Sequence, residues 1–155
     1  MRRDEFTFAH TLRVRWGEVD AQNVVFNANY FLFFDVAVTE YWRAIGFNYP
    51  KDILERFGTD IYAVKASAEF HASATYDDVL DVCCRVRRIG RSSMALVLGL
   101  YRGSDHLTSG ELVYVNADPG SRKSAPWPPA LRQAILAYER TAPEQPEAMA
   151  DGGGR

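Results

Sequence analysis

The segment RVRWGEVDAQNVVFNANYF, Arg13 to Phe31, gathers the residues of this chain best suited to chemistry. Asp20 stands in it between an alternating apolar stretch and a helical one. A carboxylate there can draw a proton from water or attack an electrophilic carbon directly. The helix begins around Asn27, and the first backbone N–H groups of any helix lack intrahelical acceptors and lie at the positive end of its dipole. A carboxylate and such N–H groups together meet two requirements for cleaving an acyl bond: an activated water or nucleophile, and donors for the charge that collects on the carbonyl oxygen. An aspartate ahead of a helix is also a common cap or turn former, so these residues alone leave both roles open to Asp20. Glu18 and Asp35, the other nearby carboxylates, read as surface groups or supports of the site.

The only local cationic cluster is Arg85, Arg87, Arg88 and Arg91. Strand alternation sets Arg85 and Arg87 opposite Val82, Cys84 and Val86, which suits a solvated strand face; a turn carrying arginines also suits phosphate. Metal chemistry finds little support. Cys83 and Cys84 are adjacent and point to opposite faces of a strand, and His10, His71 and His106 lie in separate segments without ligand spacing. His10, on an apolar strand face, reads as a core or interface residue, and Glu69 and His71 as surface groups.

The elements that must position these groups follow from periodicity. Residues 6–16 alternate, with Phe6, Phe8, His10, Leu12, Val14 and Trp16 on one side, predicting a half-buried strand. Asn27 to Gly46 changes to helical spacing with apolar residues nearly all round, so the helix should be central and buried, with Gly46 as its C-terminal cap. A short helix is expected over Lys51 to Phe57, then strands from Tyr62 to His71, Val79 to Ile89, Ser92 to Tyr101 and Leu107 to Ala117, separated by short turn signals that predict antiparallel hairpins. The strand from Ser92 to Tyr101 is apolar on both faces, one for the helix and one for a second subunit. A last helix spans Ala130 to Arg140, and the Pro, Glu, Ala and Gly composition after it predicts a disordered tail over 141–155.

With 155 residues, 47% hydrophobic and 25% charged, the chain reads as one globular domain over 1–140. A net charge of −2 gives no field to recruit nucleic acid. The opening MRRDEFTF has no apolar stretch of secretory type behind it, and the most apolar run, Val24 to Val38, is broken by Asn27, Asn29 and Asp35. A cytoplasmic protein with no membrane segment is expected.

The segment resembles the 4-hydroxybenzoyl-CoA thioesterase family of hot-dog-fold enzymes. The resemblance rests on the motif R-x-R-[WYF]-x-[ED]-x-D, here Arg13, Arg15, Trp16, Glu18 and Asp20, followed by V-V-F-x-A-N-Y at Val24 to Tyr30. The helix FFDVAVTEYWRAIG, Phe33 to Gly46, is similar too, as more weakly are ATYDDVLDV at 74–82 and Ser92-Ser93, so the likeness covers roughly 6–118. Two positions depart from it. Asn23 stands where many members have glycine, and tolerates a left-handed turn best after glycine; Asn27 stands where many have histidine, which puts a histidine-assisted step in doubt.

The resemblance implies an α+β hot-dog fold, about five antiparallel strands wrapped around one long helix. It implies hydrolysis of an acyl or aryl thioester to the free acid and CoA, with Asp20 catalytic and the Asn27 backbone amide as oxyanion donor. Val25 and Tyr30 would contact the substrate, and Arg88, Arg91, Ser92 and Ser93 would hold the CoA phosphates at a strand turn. CoA is then part of the substrate, and no cofactor or metal is expected. The alternatives are a carrier-protein thioester as substrate, or a non-catalytic acyl-thioester-binding module. A hot-dog dehydratase would want a histidine that this segment lacks. An open sheet edge and a doubly apolar strand predict a homodimer or homotetramer.

Overall fold

The computed structural model describes residues 1–146, and in it the periodicities resolve into β1 (Phe8–Arg13), α1 (Asn27–Ala44), α2 (Lys51–Phe57), β2 (Asp60–Phe70), β3 (Val79–Ile89), β4 (Ser93–Arg102), β5 (Asp105–Ala117) and α3 (Pro129–Tyr138). The strands make one antiparallel sheet in the order β1-β3-β4-β5-β2. Consecutive β3, β4 and β5 form the expected meander, while β1 and β2 close its two sides as edges. Helix α1 lies across one face. Its Phe33, Phe34, Ala37, Val38 and Tyr41 pack against Leu80, Val82, Cys84 and Val86 of β3 and Met94, Leu96, Leu98 and Leu100 of β4. Gly110 on β5 makes this seat possible: a Cβ there would lie 2.6 Å from the Phe34 ring, which is fully buried. Cys83 and Cys84 face opposite sides of the sheet, as alternation requires. Among the described residues no helix is long and apolar enough to cross a membrane.

Several expectations need correction. The first strand is shorter than the alternation over 6–16 suggests. Phe6 passes to the other face of the sheet, where it packs with Cys83, Val97 and Tyr101, and Trp16 is 70% exposed in a 3₁₀ turn over Trp16–Glu18. The second apolar face of β4 therefore meets this chain's own N-terminal stretch at Val97 and Tyr101, whose hydroxyl also bonds the Met1 carbonyl at 3.1 Å. Helix α1 is not buried all round: Leu32 and Val36 are exposed.

The expected tail also begins too early. β1 pairs only Val79 to Cys84 of β3 and leaves the rest of that edge open. Glu144 fills part of it, donating its N–H to the Arg87 carbonyl (2.8 Å) and accepting from the Ile89 N–H (2.9 Å). Just before it, buried Glu139 accepts hydrogen bonds from the Tyr41 hydroxyl (2.6 Å) and the Val86 N–H (2.8 Å). Backbone partners, invisible to composition, order a segment too polar to order itself. Residues 147–155 of the expected tail lie outside the described residues.

Candidate active site

The turn that carries Asp20 is built by backbone pairing. Val19 and Val25 form an isolated antiparallel bridge, the Asp20 N–H donates to the Val24 carbonyl (2.9 Å) and the Asn23 N–H to the Asp20 carbonyl (2.9 Å). Closing so tight a turn puts Asn23 at φ +60°, the left-handed conformation that asparagine tolerates best after glycine, so the turn forms without a glycine. Oδ1 of Asp20 accepts the Gln22 N–H at 2.7 Å. Its other oxygen has no partner among the described residues, and the side chain is half-buried.

Glu18, just before the turn, holds it to the start of α1. Glu18 is buried, with its carboxylate bonded to the Arg15 N–H (2.7 Å), to the Arg15 Nε (2.7 Å) and, in a salt bridge, to Nη2. Its carbonyl accepts both the Phe26 N–H (3.0 Å) and Nδ2 of Asn29 (2.8 Å). Phe26 and Asn29 are thereby satisfied, the Asn29 N–H by the Phe26 carbonyl at 2.8 Å. The N–H groups of Asn27 and Ala28 have no acceptor among the described residues. They are the free donors of the helix start.

Tyr30, one turn into α1, is buried. Its hydroxyl accepts the Ala74 N–H (3.0 Å), and the Ala74 carbonyl accepts the Val25 N–H (2.8 Å), so the stretch between β2 and β3 is fastened to the site from two sides. The Tyr30 ring meets Phe70, at the end of β2, edge-on at 5.0 Å. Asp20, Val25, Asn27, Tyr30, Phe70 and Ser73 together line a cleft of about 360 Å³. Among the described residues its lining brings together Asp20, with one carboxylate oxygen unpartnered, Asn27, with an unpaired N–H, and the apolar surfaces of Val25, Tyr30 and Phe70.

Of the residues singled out from the sequence, Asp20, Val25, Asn27 and Tyr30 come together here. Arg88, Arg91, Ser92 and Ser93 do not. They form the β3–β4 turn, closed by the Gly90 N–H on the Ser93 carbonyl (2.8 Å), at the other end of the sheet. Ser93 pairs with Val115 of β5 and Phe70 with Thr108, so seven β5 positions separate the turn from the cleft wall. At about 3.3 Å per residue that is about 23 Å along the strand. Arg88 and Arg91 are exposed without ion-pair partners among the described residues, whereas Arg87 is engaged by Glu111 at 2.9 Å. Phe70, Ser73 and the anchoring role of Asn29 escaped the sequence reading. The three-residue spacing of Arg15 and Glu18 is that of an opposite-charge pair on one turn, a signal from which their pairing was readable. Among the described residues no three His, Cys, Asp or Glu side chains cluster so as to hold a metal.

An antiparallel five-stranded sheet around one long helix, with this cleft at the helix N-terminus, defines a hot-dog fold. The sequence profile of the thioesterase-like superfamily matches residues 14–135, and the chain belongs to that superfamily. An Acyl-CoA thioesterase YbgC of Haemophilus influenzae is 26% identical over 128 residues, 83% of this chain and 93% of that protein. A protein of Aquifex aeolicus provisionally named an esterase is 33% identical over 84 residues, 54% of this chain and 64%, less than two thirds, of its own length. A Staphylococcus aureus protein solved in complex with CoA superposes with a TM-score of 0.78 at 18% identity, covering 96% of this chain and 93% of that one.

Proposed function

We propose that this chain hydrolyses acyl-CoA thioesters to the free acid and CoA. One observation carries the proposal: Asp20, with one carboxylate oxygen unpartnered among the described residues, and Asn27, with its N–H likewise unpaired, line the same cleft. In this reading the thioester oxygen accepts from Asn27 as negative charge gathers on it. Asp20 takes a proton from the water that attacks the carbonyl carbon, or attacks that carbon itself to give an anhydride that water then opens. On the first route the C–S bond breaks and the proton held by Asp20 passes to the departing thiolate. On the second the C–S bond breaks as the anhydride forms, the thiolate takes its proton from solvent, and the water that opens the anhydride restores the carboxylate and releases the acid. Among the described residues the cleft lining contains no histidine, and in this reading the carboxylate acts without one. Val25, Tyr30 and Phe70 supply apolar contact for the acyl group.

The Arg88–Ser93 turn enters this reading through a second copy. β2 is an 11-residue edge strand, largely exposed, with its outer backbone groups open to pairing. Two such edges paired antiparallel about a two-fold axis set the Asp60 end of one beside the Phe70 end of the other. The β3–β4 turn of the second copy then approaches the first copy's cleft, and Arg88 and Arg91 meet the CoA phosphates. The names of the YbgC relative and the CoA-bound neighbour support CoA as the thiol. A thiol-release assay over aryl-, short-, medium- and long-chain acyl-CoAs, with light scattering on the same sample, tests the proposal. Turnover of at least one substrate by a dimer or tetramer is expected; no thiol release from any, or full activity in a monomer of 17.5 kDa, contradicts it.

A further inference from the structure

The site combines a carboxylate from a turn with N–H groups from a helix, and nothing in the chemistry of either fixes the distance between them. The turn is internally rigid through the Val19–Val25 bridge, and the helix is rigid through its own ladder, so their relative placement depends on the few bonds that join them. Apart from the indirect link through Ala74, which bonds both Val25 and the Tyr30 hydroxyl, those bonds converge on one atom, the carbonyl oxygen of Glu18, which accepts from the Phe26 N–H at 3.0 Å and from Asn29 Nδ2 at 2.8 Å. The Phe26 bond closes the two strands of the turn on each other. The Asn29 bond alone ties the turn's base to a side chain from inside the first turn of α1.

Resting on the proposed roles of Asp20 and Asn27, we propose that Asn29 is a positioning residue, whose side-chain amide holds the Asp20 turn in register with the free N–H groups at the start of α1. Three features of its surroundings serve this. Glu18 is held at its other end, since its buried carboxylate is fixed by the Arg15 N–H and guanidinium, so pulling on its carbonyl moves the turn rather than Glu18 alone. Asn29 is half-buried, which strengthens a hydrogen bond and discourages its replacement by water. The side chain spends its donor on the turn and not on its own helix, and the Asn27 and Ala28 N–H groups remain unfilled.

Two substitutions separate positioning from structural support. Asn29→Ala removes the donor. Asn29→Asp keeps size and adds a negative charge in the first turn of a helix, where the dipole favours it, while setting a carboxylate oxygen against the Glu18 carbonyl. A residue needed only for the helix would tolerate Asn29→Asp without loss of rate, so the aspartate variant is the discriminating one. The expected result is a fall in kcat of about ten- to a hundredfold in both variants, on the scale that a displacement of about 1 Å costs. KM should stay within a few-fold, and the melting temperature of the Asn29→Asp variant should match that of the unaltered protein. Combined with Asp20→Asn, either change should cost little further, because there is no longer a carboxylate to position. Unaltered kcat in a folded Asn29→Ala protein overturns the inference, as does a loss of rate that tracks a loss of melting temperature. Those results leave the reading of Asp20 standing if Asp20→Asn alone is inactive; an active Asp20→Asn protein removes that reading first.

Discussion

If the cleft and the Arg88–Ser93 turn serve one substrate, they must come from different chains, and mixing two proteins that are each impaired at low acyl-CoA concentration tests this. One carries Asp20→Asn with its arginines intact; the other keeps Asp20 but has Arg88→Ala and Arg91→Ala. Within a protomer the two regions lie about 23 Å apart along β5, at the strand rise of about 3.3 Å per residue over seven positions. In a two-fold dimer each site would combine the cleft of one chain with the turn of the other. A mixed dimer then holds one site with every group intact and one lacking both. Random exchange of equal amounts makes about half of the dimers mixed, so activity at low acyl-CoA concentration should recover to about a quarter of that of the unaltered protein. The assay is thiol release after co-refolding or co-expression, with each parent alone as the baseline. If the arginines act within their own chain, the intact groups never meet and mixing gives only the average of the two parents. That result would refute the shared-site argument.

Three further outcomes are expected. Arg88→Ala with Arg91→Ala should raise KM for acyl-CoA and leave hydrolysis of a short pantetheine thioester nearly unchanged; equal loss on both would make the arginines structural. Burial raises the Glu139 carboxyl above its ordinary value despite hydrogen bonds from Tyr41 and the Val86 N–H. The folded state therefore holds this proton more tightly than the unfolded one, and stability falls as pH climbs from the usual glutamate value of about 4.3 towards the raised one. Glu139→Gln lacks this titration, so its melting temperature relative to the unaltered protein should increase with pH across that window; a constant difference contradicts the assignment. Gly110→Ala should cost about 1–3 kcal/mol in a denaturation experiment, since the new methyl meets a buried Phe34 ring at 2.6 Å. An unchanged midpoint would mean the ring yields freely.

Much of the fold was legible because its elements bury one face and so repeat with a period. Helix α1, the β3–β4–β5 meander and the opposite facing of Cys83 and Cys84 follow from spacing alone. What escaped was set by partners distant in sequence. Phe6 has the parity of Phe8 but leaves the strand to cover Val97 and Tyr101, and Glu144 is ordered only because β1 is too short to fill the β3 edge. The same limit applies to the site. Residues within the Asp20 turn and the helix start are close in the chain, so their meeting was readable. The distance of Arg88 and Arg91 from them depends on strand register, which a local pattern does not contain. The Asn29 bond to the Glu18 carbonyl was hidden for another reason, since its acceptor is a backbone atom with no sequence signature.

The Asp20 carboxylate is the centre of the proposed chemistry, and Asp20→Asn tests it most directly. Asparagine keeps the size of the side chain and an oxygen to accept the Gln22 N–H, now bonded at 2.7 Å, so the turn should survive. It loses the charge and the capacity to take a proton or attack carbon. With the folded and correctly assembled variant, kcat for acyl-CoA hydrolysis should fall by at least about a hundredfold, with KM within a few-fold. Were Asp20 only a turn former or cap, asparagine would serve nearly as well. Near-normal turnover by that variant would contradict the account.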